Sequence, residues 1–314
     1  MCVALRTGWV GKESMTNREC TIGKDISLEG IGLHSGRPAR MTLRPARPGT
    51  GIVFVRADLP SRPRIEARFD QVSGTTLATT LGTGDVRVAT TEHLLSAFYG
   101  MGIDNATVEL TSAELPIMDG SSRDFVTAIE AAGIHEQLEH RRLVKLKRSV
   151  QVFLGDKWAV AEPSARFQVH TRVSFPHPAI GEQELSFEDG RDSFRDIASA
   201  RTFGFAHEVE HLRKNGLALG GSLENAVVFS PTGVMNPEGL RFPDEVVRHK
   251  MLDALGDFML AGIRFEAAFV LNKSGHDLHQ KLLAAIFENS ANYAIVDSRP
   301  AALQPRVSAL TAVS

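Results

Sequence analysis

Three short segments of this 314-residue chain combine imidazoles, carboxylates and a spare base in a way that suits metal-assisted hydrolysis: Glu92-His93, His249-Lys250-Met251-Leu252-Asp253 and Lys273-Ser274-Gly275-His276. On a helix, His249 and Asp253 lie one turn apart and Asp257 one turn further, so two candidate zinc ligands and an outer carboxylate share a face. Histidine and aspartate at this spacing are usually a solvated pair. Here Val246, Val247, Met251, Leu252, Leu255, Met259 and Leu260 make the helix apolar over much of its circumference, and polar groups on such a helix need partners or a metal. Asp244 is expected to cap the start of this helix and Gly262 to end it.

A second pattern competes for the metal. His207-Glu208-Val209-Glu210-His211 matches the H-E-x-x-H signature of zinc proteases. Glu210, however, puts a charge where a buried metal helix needs an apolar residue, and Lys214-Asn215-Gly216 stops the helix within a turn. The segment reads as a polar surface helix.

The elements that must position these groups follow from periodicity. Residues 39–45 and 51–56 alternate as strands around a Pro/Gly turn. A helix starting near Thr90 or Thr91 carries Glu92 in its first turn and runs to Gly100-Met101-Gly102, before a strand at 106–110. That order recurs later: the His249 helix ends at Ala261-Gly262-Ile263 and leads into a strand at 267–271. An offset of 160 residues puts Gly102 on Gly262 and His93 opposite Asp253. The order of elements therefore implies an internal duplication, with two related α/β halves packed so that equivalent helices supply ligands to the seam. The boundary is expected near residue 141, giving halves 15–141 and 142–300, with a loose extension at 1–14 and a tail at 301–314.

Composition narrows the class. A hydrophobic content of 43% supports real cores, and a net charge of -2 gives no global attraction to nucleic acid or acidic membranes. The basic residues between Arg141 and Arg148 alternate with apolar ones and read as a solvated strand face. Cys2 and Cys20, the only cysteines, cannot build a disulfide framework. With no apolar run of membrane length and no secretory core at the N-terminus, the expectation is a soluble cytoplasmic protein, monomeric, with no nucleic-acid partner.

From about Cys20 to about Arg299 the chain resembles the bacterial UDP-3-O-acyl-N-acetylglucosamine deacetylases, zinc enzymes of lipid A synthesis. The resemblance rests on ordered segments: Gly32-Leu33-His34-Ser35-Gly36, Thr91-Glu92-His93-Leu94, Gly102-Ile103-Asp104-Asn105, residues 116–122, Ser199-Ala200-Arg201-Thr202-Phe203-Gly204, residues 247–253 and Lys273-Ser274-Gly275-His276. It implies an α+β fold of two similar two-layer sandwiches, each with a small insert, and a site at the seam between them. It implies His93, His249 and Asp253 as zinc ligands, a three-ligand set that leaves a position for water; Fe2+ suits the same ligands. Zinc lowers the pKa of such a water from about 15.7 towards about 7.

The resemblance also distributes roles. Glu92, pointing roughly 100° from its neighbour His93 on a helix, is the general base. His276, expected in a loop after a strand, is the protonated group that serves the oxyanion and the leaving amine; Asp257 charges and holds it, and Thr202 gives a hydroxyl to the oxyanion. Lys250 and Lys273 are candidates for the diphosphate, Lys157 for the sugar nucleotide and Phe175 for stacking on uracil. Phe203 and the aliphatic stretch 216–223, including Gly221 and Ser222, would line a passage for the acyl chain. Ala78 stands where many relatives have a cysteine; no proposed role uses a thiol, so catalysis should be unaffected.

Overall fold

The structure, a computed structural model, describes residues 16–298. The expectations for 1–14 and 301–314, and Cys2, lie outside them. In the first part of the chain, strand Pro38–Pro45 buries Ala39, Met41 and Leu43 and turns Arg40 outward, the period-two pattern of a sheet covered on one face. It joins a five-stranded sheet in the order Ile26–Ile31, Pro38–Pro45, Ala106–Leu110, Ile52–Arg56, Arg64–Glu66. Ile52–Arg56 runs parallel to Ala106–Leu110, so the chain between them must cross over, and that crossover contains helix α1, Glu92–Gly100. Helix α2, Arg123–Ala132, packs on the same side with Phe125, Val126 and Ile129 buried.

The later part centres on Arg264–Asn272, a strand that pairs antiparallel with Lys157–Pro163 and parallel with both Arg142–Leu146 and Gln168–Phe175. Val150–Leu154, Gly181–Glu188 and Tyr293–Asp297 complete seven strands. Helices α3 (Arg195–Ala198) and α4 (Ala206–Lys214) precede α5 (Glu245–Met259) and α6 (His276–Glu288). The chain is thus mixed α/β.

Helix α1 lies directly on α5. At Gly256 an added Cβ would come within 2.1 Å of the Glu92 carbonyl oxygen, so the two backbones approach as only glycine permits. One apolar core encloses both helices, from Leu94, Leu95 and Phe98 on α1 to Met251, Leu255 and Phe258 on α5. Among the described residues no helix is long and apolar enough to cross a membrane.

Three expectations need correction. Asp244 stands at the N-cap of α5 without capping it: its carboxylate is taken by Arg248 Nε at 2.7 Å. His276 is the first residue of α6, not a loop residue. Of the basic run, Arg142, Lys145, Lys147 and Arg148 are exposed as expected, but Arg141 is buried and donates to Asp104 at 2.8 Å, because a carboxylate there neutralises it.

Candidate functional site

Helix α1 starts at an acidic residue, which its dipole favours, after Thr90 in a left-handed conformation (φ +59°). That strained entry delivers Glu92 and His93 together to the face of α5. His249 and Asp253, one turn apart on α5, meet them there, and all four are buried. His249 Nε2 lies 3.3 Å and His93 Nε2 3.7 Å from Asp253 Oδ1, with the imidazoles edge to face at 5.0 Å. His249 Nδ1 donates to the Ala200 carbonyl at 3.1 Å, which leaves Nε2 as the free lone pair. Asp253 Oδ1 is buried without a hydrogen-bond partner. A carboxylate oxygen left bare while two imidazole nitrogens converge on it fits a divalent cation. Asp253 Oδ2 is satisfied by Lys250 Nζ at 2.9 Å.

Asp257, His276 and His279 form the second such group among the described residues. It is built differently. Nδ1 of His276 and Nδ1 of His279 each donate to Asp257 Oδ2 at 2.7 Å, Thr79 Oγ1 donates to Oδ1 at 2.7 Å, and Ser274 Oγ meets His279 Nε2 at 2.9 Å. Both Asp257 oxygens and both nitrogens of His279 are taken up in hydrogen bonds, so this cluster orients groups instead of offering lone pairs to a metal.

The free nitrogen of His276, Nε2, lies 3.9 Å from Glu92 Oε1, while Glu92 Oε2 accepts the backbone N–H of Thr79 at 3.0 Å. Burial pushes the Glu92 carboxyl up to about 7, against the pull of His276. Burial alone would lower His276, but the charge and hydrogen bond of Asp257, with Glu92 behind them, raise it to about 9. His93 is driven down to about 3 by burial and by neighbouring His249, and His249 also falls, so both are neutral as ligands must be. Burial opposes ionisation of Asp253 and Asp257, yet the cationic groups around them win and both stay well below the usual carboxylate range. The result is a base that titrates near neutrality beside an acid that stays charged, which is the pairing general acid–base chemistry requires.

The remaining sequence candidates lie at increasing distance. Thr202 is half-buried; its N–H donates to Gly120 O at 2.7 Å, and Phe203 beside it places its ring 6.3 Å from that of His249. Lys250 Nζ lies over the Phe203 ring at 5.6 Å. Phe175 meets Phe203 edge on at 5.6 Å, so it belongs to an aromatic cluster at the start of α5. Lys273, with φ +51°, pairs with the exposed Asp156 at 2.7 Å, and exposed Lys157 follows Asp156. Gly221 and Ser222 sit in a loop that docks on residues 32–36: Gly220 N donates to Leu33 O at 3.0 Å and Leu219 N to His34 O at 3.1 Å. His207 and His211 lie exposed on α4, away from both clusters.

Several residues that hold the site had been missed. Thr79 touches both Glu92 and Asp257, and His279 shares Asp257 with His276. Arg201, fully buried, donates to Glu245 through its backbone N–H and its Nε, pinning the Thr202 segment to the first turn of α5. Arg241 reaches Asp119 at 2.7 Å and ties the 116–122 loop to the region before α5. The i, i+3 pair His276/His279 was the one signal open to sequence reading.

Comparison with known proteins covers the whole stretch that builds the site. Residues 19–288 match the model of the UDP-3-O-acyl N-acetylglycosamine deacetylase family. A curated protein named UDP-3-O-acyl-N-acetylglucosamine deacetylase from Geobacter sp. (strain M21) is 48% identical over 90% of this chain and 93% of its own. Proteins of the same name from Myxococcus xanthus (strain DK1622) and Methylococcus capsulatus (strain ATCC 33009 / NCIMB 11132 / Bath) are each 48% identical, over 89% and 86% of this chain and 89% and 90% of theirs. A match of that extent runs through most of the chain, and the chain belongs to the UDP-3-O-acyl N-acetylglycosamine deacetylase family.

Proposed function

We propose that the chain hydrolyses the N-acetyl group of UDP-3-O-(3-hydroxyacyl)-N-acetylglucosamine, giving acetate and the 2-amino sugar nucleotide, with zinc held by His93, His249 and Asp253. The observation that carries the reading is the bare Asp253 Oδ1 facing two neutral imidazoles, next to the Glu92–His276 pair 3.9 Å apart. Zinc at those ligands supplies Lewis-acid polarisation and a more acidic water; iron(II) suits the same donors.

The protein groups do the proton work. Glu92, anchored by Thr79 N–H through Oε2, takes a proton from the attacking water. His276, charged by Asp257, gives its Nε2 proton to the departing sugar nitrogen as the C–N bond breaks. Thr202 adds a hydroxyl for the oxygen that gains charge. Lys157 and Lys273, together at the 154–157 turn, with Lys250 deeper in, meet the diphosphate and sugar. Phe175 stacks on the uracil, while Phe203, Gly221 and Ser222 border the acyl passage; Leu219, exposed and bonded to His34, and the exposed Leu223 of the same loop support an apolar lining.

The fold reading is an internal duplication, with halves 15–141 and 142–300 and the site at their seam. Two contacts support it. Asp104 and Arg264, 160 residues apart, bond to each other at 3.0 Å, and His93 and Asp253, separated by the same offset, lie 3.7 Å apart. Equivalent residues meet each other only near a twofold axis. The reading places the enzyme in the cytoplasm as a monomer, in keeping with Cys20 being a buried free thiol.

The test is acetate release from the acylated sugar nucleotide by the purified chain, before and after chelation and zinc return, with Glu92→Ala as control. Release that follows the metal and falls by about 10² to 10⁴ in the variant is expected. A folded, zinc-loaded chain that releases no acetate overturns the reading.

A further inference from the structure

Asp257 is fully buried and receives three donors from three segments: Thr79 Oγ1 on Oδ1, and Nδ1 of His276 and of His279 on Oδ2, each at 2.7 Å. The acid–base scheme uses His276 and leaves His279 without a task. His279 is buried on α6, its ring perpendicular to that of His276, with Nε2 2.9 Å from Ser274 Oγ.

We propose that His279, with Ser274 behind it, is a positioning residue for the reaction. It holds the Asp257 carboxylate in the orientation that keeps His276 Nε2 aimed towards Glu92. A carboxylate turns about its last side-chain bond at little cost. Thr79 holds Oδ1, and His279, its ring perpendicular to that of His276, adds a second donor on the Oδ2 that His276 shares. Ser274 selects the tautomer: its hydroxyl donates to Nε2, so the ring proton sits on Nδ1, where Asp257 needs it. The bland alternative is a core histidine that merely satisfies its own nitrogens while packing on Phe258, 5.5 Å away. What argues against it is that both acceptors and donors in the chain lead to the same oxygen that orients the acid.

The inference rests on the reading of His276 as the acid, and the variants separate the two. In His279→Asn the amide nitrogen replaces Nδ1 as donor, whereas His279→Leu keeps the volume and removes the donor. For the zinc-loaded chain acting on the acylated sugar nucleotide, the leucine variant should lose roughly 10- to 100-fold in kcat with KM nearly unchanged, the size typical of removing an outer-shell partner. The asparagine variant should recover most of that, and Ser274→Ala should show a smaller fall in kcat. Independently of activity, the low-field Nδ1 proton of His276 in the ¹⁵N-labelled metal-free protein should broaden or move upfield in the leucine variant and not in the asparagine one. If leucine and asparagine variants share one kcat and one His276 resonance, or if Ser274→Ala does nothing while both histidine variants lose only thermal stability, His279 is a packing residue. If His276→Ala keeps wild-type kcat, the acid assignment itself has failed.

Discussion

Helices α4 and α5 carry the same lexical signal, two potential ligands four residues apart, and make opposite use of it. On α5, His249 and Asp253 are buried, His249 is oriented by the Ala200 carbonyl, and Asp253 Oδ1 has no hydrogen-bond partner. On α4, His207 and His211 are exposed, and His211 is occupied by the helix's own Asn215. Water satisfies an exposed imidazole at no cost, so nothing on α4 calls for a metal. Ligand spacing alone is therefore far from sufficient: desolvation is what distinguishes α5, because it leaves lone pairs that a cation would satisfy.

The sharpest way to break the contrast is to remove what makes α5 different. Asp253→Asn takes away the anionic oxygen between the two imidazoles and leaves Lys250 Nζ, 2.9 Å from Oδ2, without its counter-charge. Bound metal by atomic absorption and acetate release should both fall to background, with a stability penalty below the roughly 3 to 5 kcal/mol of a fully buried pair, because Lys250 keeps part of its surface in water. Retention of a full equivalent of zinc by a folded Asp253→Asn chain would remove that residue from the ligand set.

Next in size is the contact of α1 with α5. Gly256→Ala puts a methyl 2.1 Å from the Glu92 carbonyl oxygen, against backbone that cannot swing aside. Overpacking of this kind costs about 1 to 3 kcal/mol, or several degrees in Tm, and here it displaces the base as well. Thermal melts and kcat measured together should fall together; an alanine chain with normal Tm and kcat contradicts the close approach of α1 and α5.

The pH profile sharpens the comparison more gently. With the proposed roles, activity needs Glu92 ionised and His276 protonated. Glu92, raised to about 7, should set an acid limb there, and His276, raised to about 9, an alkaline limb. A cation on the neighbouring ligands favours the deprotonated form of each and moves both limbs down. Because the His276 value is raised by folding, the stability it contributes is full below the unfolded value of 6.5 and is lost as pH climbs through about 9. Asp257→Asn should draw the alkaline limb of kcat/KM towards ordinary histidine; an unmoved limb would assign it to another group.

How much of this was legible in the sequence follows from how local each signal is. The helix around His249 was legible because an apolar pattern and two candidate ligands share one stretch, and α1 because its acidic first turn adjoins the candidate ligand His93. Thr79 was not, since its value lies in meeting Asp257, 178 residues away, and a lone threonine has no period. His276 was expected in a loop because Gly275 precedes it, yet the helix begins at His276 itself, with Gly275 in extended geometry at the cap. Arg141 was grouped with solvated neighbours because its partner, Asp104, lies in another element. Strain follows the same division. Five of the six left-handed non-glycine residues among those described, Leu77, Thr90, Met118, Ala218 and Lys273, fall in segments that border the site, and no local propensity announces them.

The smallest expected effect completes the contrast. Replacing both His207 and His211 by Ala removes both imidazoles from α4. Solvent reaches both rings, and Asn215, which bonds the His211 ring, keeps its bond to the His211 backbone carbonyl at 2.9 Å. Stability should change by no more than about 0.5 kcal/mol, the range for surface positions, and alanine's helix propensity should offset part of even that. Zinc content and kcat should match the parent chain. A double variant that loses its metal would mean that a solvated helix can assemble a site without desolvated lone pairs, and the physical distinction drawn between α4 and α5 would be wrong at its root.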